Sequence, residues 1–319
     1  MEMRRLGRSE IMVSPLCFGG NVFGWTVDEK QSFALLDAFV DAGFNFIDTA
    51  DVYSVWVSGN QGGESEAIIG KWQKARRNRD RLVIATKLGM AMGPQRKGLS
   101  RAYMRSAVEA SLSRLRTDYI DLYQAHEDDA QTPMEETLAA FAELVKEGKV
   151  RVIGASNFTA PRLAQALSLS EKLGLPRYES LQPLYNLYDR DQFEPELAAL
   201  TREKSVGVIP YYSLAAGFLS GKYRTPEDVA SGARASRVAQ RYLNERGKRV
   251  LAGLDQAAKA TGRTQAQIAR AWLLSHDEIT APIASATTLA QLAELAPAAG
   301  IVLDAATRGA LDEASRIGA

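Results

Sequence analysis

The sequence predicts an α/β protein built as a closed (β/α)8 barrel, with an N-terminal β-hairpin and two extra helices. Three observations predict it. Short β-branched and aromatic runs alternate with amphipathic segments with no long linker, which implies a parallel sheet. Seven of these runs end in polar or reactive residues: FNFIDTADVY, RLVIATK, DYIDLYQAH, VRVIGASN, ESLQPLYN, VGVIPYY and EITAPIAS. The endings are Asp48 and Tyr53, Lys87, His126, Ser156 and Asn157, Gln182, Tyr211, and Ser285. In a closed barrel all strand ends face one mouth, whereas an open sheet gathers its ligand at one switch point. The length of 319 residues then fits one barrel domain over 1–319, with additions to a plain barrel of about 250 residues.

The elements follow in order. Residues 4–6 and 11–13 form the hairpin, turned by Gly7-Arg8-Ser9. Residues 28–42 form a helix with Phe33, Leu36, Phe39 and Val40 on one face and Gly43 as its stop. Helices over 65–76, 100–116 and 133–147 obey the same spacing; Ser100 suits an N-cap, Pro133 a first turn and Gly148 a C-cap. Helices over 159–173, 193–204 and 264–275 complete the series, with a short one from Leu289. Two segments are additions: 213–261, a long loop with an added helix, and a terminal helix over 304–317. The apolar stretch 11–25 is broken by Pro15, Gly19, Gly20 and Gly24 and cannot span a bilayer, which takes about 20 apolar residues in one helix.

Composition narrows the function. A formal charge of +1 gives no case for nucleic acid or an anionic membrane surface. With one cysteine, Cys17, no internal disulfide can form, and two histidines make a structural zinc site a poor fit. MEMRRLGRSE lacks an apolar secretory core, so the expected home is the cytoplasm.

Taken singly, the rim residues have plain readings: a helix cap for an Asp, packing for a Tyr, solvent for a Lys, a satisfied core site for a His. Four such groups on equivalent positions of separate βα units form a coherent acid–base set. A free phenol, with a pKa of about 10, is a poor donor at neutral pH. Lys87, held by Asp48, is expected to lower the Tyr53 pKa so that Tyr53 acts as general acid, while His126 orients a carbonyl oxygen.

FIDTADVY, the strand-end ATK, LYQAH, EGKVRVIGASN, LQPLYN and LAAGFLSGKY together resemble the aldo-keto reductases, in order along nearly the whole chain. The resemblance extends to the branch that includes the potassium-channel β subunits. It implies the catalytic tetrad Asp48, Tyr53, Lys87 and His126, NADP(H) as hydride carrier, and a small-molecule carbonyl substrate. It further implies that Ser156, Asn157 and Gln182 bind the carboxamide, that Asp48 also contacts the cofactor, and that Tyr211 stacks on the nicotinamide. Ser213, Leu214 and Ala215 would meet the pyrophosphate, with Lys222 and Arg234 as its basic clamp. Ser285, Thr287, Gln291 and Glu294 would hold the adenosine, and Gly20, with Gly19, would admit the cofactor closely. Trp25 and Trp56, with Tyr53, His126 and Tyr223, are candidates for the substrate pocket.

Departures from the family pattern matter. Tyr211-Tyr212-Ser213-Leu214 replaces the common Tyr-Ser-Pro-Leu. Glu127 follows the histidine where an aromatic residue is common, hinting at a polar or sugar-like substrate. Ser285 and Gln291 stand where the best-known members place Lys and Arg, and Leu295 replaces a common Asn. Arg234, the Ser285 and Thr287 hydroxyls and the start of the helix near Leu289 are left to meet a 2′-phosphate. The alternative function is a nicotinamide-binding regulatory subunit with little turnover. GFLSGK, over 217–222, is one residue short of a P-loop and is discounted.

Overall fold

The computed structural model describes residues 1–229 and 235–317. β1 (Arg4–Arg5) and β2 (Met12–Val13) pair antiparallel as the expected hairpin. Thereafter strand and helix alternate: β3 (Cys17–Gly19), α1 (Glu29–Asp41), β4 (Phe46–Asp48), α2 (Glu64–Arg76), β5 (Val83–Leu88), α3 (Arg101–Leu115), β6 (Ile120–Ala125) and α4 (Met134–Lys146). The second half runs β7 (Val150–Ser156), α5 (Ala160–Leu173), β8 (Tyr178–Gln182), α6 (Leu197–Lys204), β9 (Gly207–Val208), α7 (Ala235–Tyr242), α8 (Glu245–Thr261), α9 (Gln265–Leu274), β10 (Ile283–Ala284), α10 (Leu289–Leu295) and α11 (Ala305–Ala314).

Helix starts follow side-chain chemistry. Asp28, Ser100, Asn244 and Asp304 each accept a hydrogen bond from an amide of the first turn, and Thr264 with Gln267 forms a full capping box. The segment 213–261, expected to carry one added helix, carries two, the short α7 and the longer α8.

Eight parallel strands run in the order β10-β3-β4-β5-β6-β7-β8-β9. The curl closes through the chain leading into β10. The Val208 amide donates to the Glu278 carbonyl (3.1 Å), Thr280 donates back to Val208 (2.8 Å), and Ile283 donates to Pro210 (2.9 Å). This is the expected (β/α)8 barrel. One stave was hidden in the sequence: β3 lies inside the broken stretch 11–25, three residues long and followed by Gly20, with no β-branched run to mark it.

Strand alternation sorts the side chains. Phe46 and Asp48, Ala85 and Lys87, and Leu122 and Gln124 share the inward face of neighbouring strands. The lower members, Phe46, Ala85 and Leu122, pack with Cys17, Ile209, Ala281 and Ile283 and with Leu6, Ile11 and Val13 of the hairpin, which seals the base. The upper members carry the polar groups to the mouth. Outward residues such as Phe18, Ile47, Ile84 and Tyr123 pack under the helices with Leu35, Phe39, Ile69, Val108 and Phe141. No helix among the described residues is long and apolar enough to cross a membrane.

Candidate active site

Lys87 and Asp48 sit beside one another on β5 and β4, both buried. Lys87 Nζ donates to Asp48 Oδ2 (2.7 Å), to the Thr49 carbonyl (2.8 Å) and to the Tyr53 oxygen (2.7 Å), so all three of its protons have partners. Asp48 Oδ1 accepts from Gln182 Nε2 (2.9 Å) and Gln124 Nε2 (3.4 Å). A buried ion pair is tolerated when its remaining lone pairs are satisfied in this way. Tyr53, just past β4, points its hydroxyl back to the pair, 3.3 Å from Asp48 Oδ2. The His126 ring packs edge-on against Tyr53, centroids 5.9 Å apart, and its Nδ1 is buried without a hydrogen-bond partner.

Protonation differs in one respect from the sequence expectation. Burial, followed by the Asp48 carboxylate, holds the Tyr53 phenol well above its ordinary 10, not below it. The Lys87 charge is taken up by Asp48, which itself lies within reach of the phenol, so desolvation dominates. Tyr53 therefore rests fully protonated. Burial, reinforced by Lys87, holds His126 well below 6.5, so its imidazole is neutral. Burial also lowers Lys87 from 10.5.

Above the pair, Ser156 Oγ donates to the Gln182 carbonyl (2.9 Å), and Asn157 Nδ2 to the His126 carbonyl (2.9 Å). Tyr211 donates its hydroxyl to Asn157 Oδ1 (2.9 Å), tying the ends of β7 and β9 together. Among the described residues, eight non-glycine residues have positive φ. Arg77, Arg116 and Ser205 end helices, but Ser54, Asn157, Tyr212, Ala215 and Ala216 all lie in mouth loops. Backbone strain thus gathers at the mouth of the barrel. The Tyr212 turn is fastened by Asn186 Nδ2, which donates to its carbonyl (3.0 Å).

A cleft of about 650 Å³ opens on this floor. Asp48, Tyr53, Trp56, His126, Ser156, Asn157, Gln182, Tyr211, Ser213 and Leu214 line it, and it continues past Lys222 to Ser285, Thr287, Gln291 and Glu294. Gly19 forms part of the wall, where a β carbon would stand 2.5 Å from Ser285 Oγ. Ser285 donates to Asn21 Oδ1 (2.7 Å), and the Thr287 amide and hydroxyl both donate to Gln291 Oε1 (2.8 and 3.1 Å). At the start of α10 the Gln291 amide is already capped by Thr288 Oγ1 (3.2 Å), so that amide is not open to an anion as the sequence reading supposed.

Other candidates stand off the wall. Lys87 lies beneath the floor, Gly20 packs against Ser65 and the Asp48 carbonyl, Ala215 is buried, and Trp25 stands behind Trp56. Glu127 is exposed and does not line the cleft. Arg234 lies outside the described residues. Sequence reasoning missed Gln124, the second amide on Asp48; its position two residues before His126, on the same face of β6, was the available signal. It also passed over Asn21 and Met90, which line the cleft from loops without a recognisable motif.

Residues 15–316 match the aldo/keto reductase family. The chain is 37% identical to an uncharacterized oxidoreductase of Bacillus subtilis, YrpG, across 95% of this chain and 93% of that one. It is 35% identical to a probable voltage-gated potassium channel subunit beta of Oryza sativa, over 92% of this chain and 90% of the other. It is 35% identical to a norsolorinic acid reductase of Emericella nidulans, over 88% of this chain and 73% of the other.

Proposed function

Because the chain belongs to the aldo/keto reductase family, we propose that it is an NADP(H)-dependent oxidoreductase acting on a small carbonyl compound, with Tyr53 as general acid. The observation that carries this is the 2.7 Å contact of Lys87 Nζ with the Tyr53 oxygen, inside a buried Asp48 pair at the floor of a cleft.

The residues fit a nicotinamide dinucleotide. The cleft is long, within the range of about 300–1,000 Å³ usual for cofactor sites, and its polar groups change in kind along it. Asn157, Ser156 and Gln182 offer amide and hydroxyl partners beside Tyr53, with the Tyr211 ring at the same rim. Farther along, Lys222 has no carboxylate within ion-pair reach among the described residues, which suits a pyrophosphate. Ser285, Thr287, Gln291 and Glu294 supply hydroxyl, amide and carboxylate partners for an adenosine. Arg234 remains the proposed guanidinium for a 2′-phosphate.

Such a cofactor supplies or accepts the hydride when bound. The chain handles the proton. Tyr53 gives its hydroxyl proton to the substrate oxygen as negative charge develops there. Lys87, fixed by Asp48 and the Thr49 carbonyl, keeps its hydrogen bond to the tyrosine oxygen and stabilises the phenolate left behind. Neutral His126 orients the carbonyl without competing as an acid.

The test is loss of NADPH absorbance with a panel of aldehydes and ketones. Tyr53→Phe should lower turnover by about two to four orders of magnitude while NADPH affinity stays unchanged; near-normal turnover in that variant rejects the acid assignment. In the same assay kcat/KM should favour NADPH over NADH, and Arg234→Ala should erase that preference; equal use of both by the wild type rejects the cofactor assignment. A second reading, a regulatory subunit with little turnover, draws support from the likeness to the rice channel subunit. It prevails if the cofactor binds but no carbonyl is reduced.

A further inference from the structure

The cleft wall over residues 211–222 is irregular. Tyr212, Ala215 and Ala216 take left-handed φ angles of 53°, 49° and 57°, uncommon for residues with a β carbon. Such conformations persist where the surrounding structure imposes them. A buried carboxylate in the loop between β8 and α6, outside the cleft, stands in position to do so. Resting on the dinucleotide reading above, we infer that Asp189 is a positioning residue: it holds this wall in its ligand-ready shape and so sets how tightly a nicotinamide dinucleotide is bound.

Asp189 is 3% exposed and draws donors from two directions. Asn186 Nδ2 and the Tyr242 hydroxyl both donate to its Oδ2 (2.8 Å each), while Arg241 Nε and Nη2 meet its Oδ1 (2.9 and 2.7 Å). The carboxylate is thus fully satisfied, the condition under which a buried charge is tolerated. Each donor passes the grip to the wall. Asn186 spends its other amide proton on the Tyr212 carbonyl, and its Oδ1 accepts from the amides of Tyr188 and Asp189 (2.8 Å each), which fixes its orientation. Tyr242, at the end of α7, stacks on Phe218 of the wall at 5.3 Å and 16°. Tyr188 meets both rings edge-on, at 5.0 Å from Tyr242 and 6.3 Å from Phe218. One carboxylate therefore clamps the wall at Tyr212 and again at Phe218.

Without the carboxylate, the Asn186 amide and the Tyr242 hydroxyl lose this acceptor in a buried place, a costly arrangement that loosens both clamps. The effect should fall on binding. Tyr211, Ser213, Leu214 and Lys222 belong to this wall and line the cleft where the nicotinamide and pyrophosphate are proposed to lie. The proton-handling group of Asp48, Tyr53 and Lys87 is fastened instead by the Thr49 carbonyl, Gln124 and Gln182. Chemistry should survive a change that weakens the grip on the dinucleotide.

The experiment compares the wild type with Asp189→Ala, Tyr242→Phe and Asp121→Ala. Asp189→Ala should raise the Kd of NADPH, read by fluorescence titration, about 10-fold, the scale of one charge-assisted hydrogen bond. KM for NADPH should rise alike while kcat does not fall. With no cofactor added, amide hydrogen exchange over residues 211–222 should quicken about 10-fold, and that of β5 and β6 should not change. Tyr242→Phe keeps the ring stack but removes one donor; it should raise Kd about 3-fold and add nothing in the Asp189→Ala background. Asp121, near the start of β6, is an equally buried carboxylate paired with Arg79 and Arg151 (2.7 Å each). Asp121→Ala should lower Tm yet leave Kd and wall exchange unchanged. Unaltered Kd and exchange in Asp189→Ala, or an equal rise in Kd in Asp121→Ala, overturns the inference and leaves the reductase reading standing. If Asp189→Ala does not fold, Tyr242→Phe decides by the same two measurements. Failure of the wild type to bind either NADPH or NADH overturns the dinucleotide reading instead, and the exchange rates then decide whether Asp189 holds the wall.

Discussion

Replacing Asp51 with asparagine should stabilise the fold, by an amount that grows with pH. Asp51 lies just past β4, is 1% exposed, and neither of its carboxylate oxygens has a hydrogen-bond partner. Its neighbour Glu66, also buried, accepts from Thr86 Oγ1 (2.6 Å) and pairs with Arg114 (2.6 Å), leaving that guanidinium committed elsewhere. Burial, and after it the Glu66 charge, raise Asp51 from an ordinary 3.8 to about 7. Below about pH 4 the proton is bound in both folded and unfolded chains, and the group costs nothing. From about pH 4 to 7 the unfolded chain releases the proton while the folded one keeps it, so stability falls as pH rises. Above about 7 both are ionised and the full cost is present.

At about 1.4 kcal/mol per pKa unit, that cost approaches about 4 kcal/mol, an upper value for a carboxylate beside Arg114 and Arg96. Asparagine, uncharged throughout, escapes it. With an unfolding entropy of about 2.1 cal/mol/K per residue, Tm should rise by about 6 °C at pH 8 and by almost nothing at pH 4. Scanning calorimetry of both proteins across that range reads this directly. A Tm difference that does not change with pH, or a lower Tm for the variant at pH 8, would refute the account of Asp51 as a buried, uncompensated acid.

Three further outcomes follow from the structure. In the Asp51→Asn background, kcat/KM should show no inflection from an imidazole between about pH 5 and 8, because burial and Lys87 hold His126 neutral throughout; an inflection lost in His126→Gln would contradict this. Gly70→Ala should destabilise by about 1–3 kcal/mol or more, since a β carbon there overlaps the Arg114 carbonyl and presses α2 off α3. Gly309→Ala, on α11 with open space around it, should instead stabilise by about 0.5–1 kcal/mol. Thermal unfolding of the two variants checks both signs.

The strands that could be read from the sequence were those with a continuous branched run, such as Val83–Leu88 and Val150–Ser156. Cys17–Gly19 was lost because its neighbours are proline and glycine, and its pairing with Phe46–Asp48 is a long-range fact that local pattern does not carry. Asp48, Lys87 and His126 are legible because each lies at the end of a strand, and Tyr53 because it follows β4 by five residues. Charge states were not visible in the same way: opposite charge argued for an acidified phenol, but burial, which depends on the whole barrel, raised it. Asp51 stands in plain view within FIDTADVY, yet its burial beside Glu66 appears only when the helices close over it.

The hairpin at the barrel base sets an order of events in folding. Leu6, Ile11 and Val13 leave the ribosome before any stave exists, yet their packing partners include Ile209, Ala281 and Ile283. Arg4 likewise finds its acceptor at the Ile279 carbonyl (2.7 Å), 275 residues downstream. These hairpin side chains are thus made well before the partners that cover them, and until those arrive they are exposed surface on a growing chain. Contacts of such separation also slow the closing step. During synthesis, the bottom of this barrel is where a chaperone has most to protect.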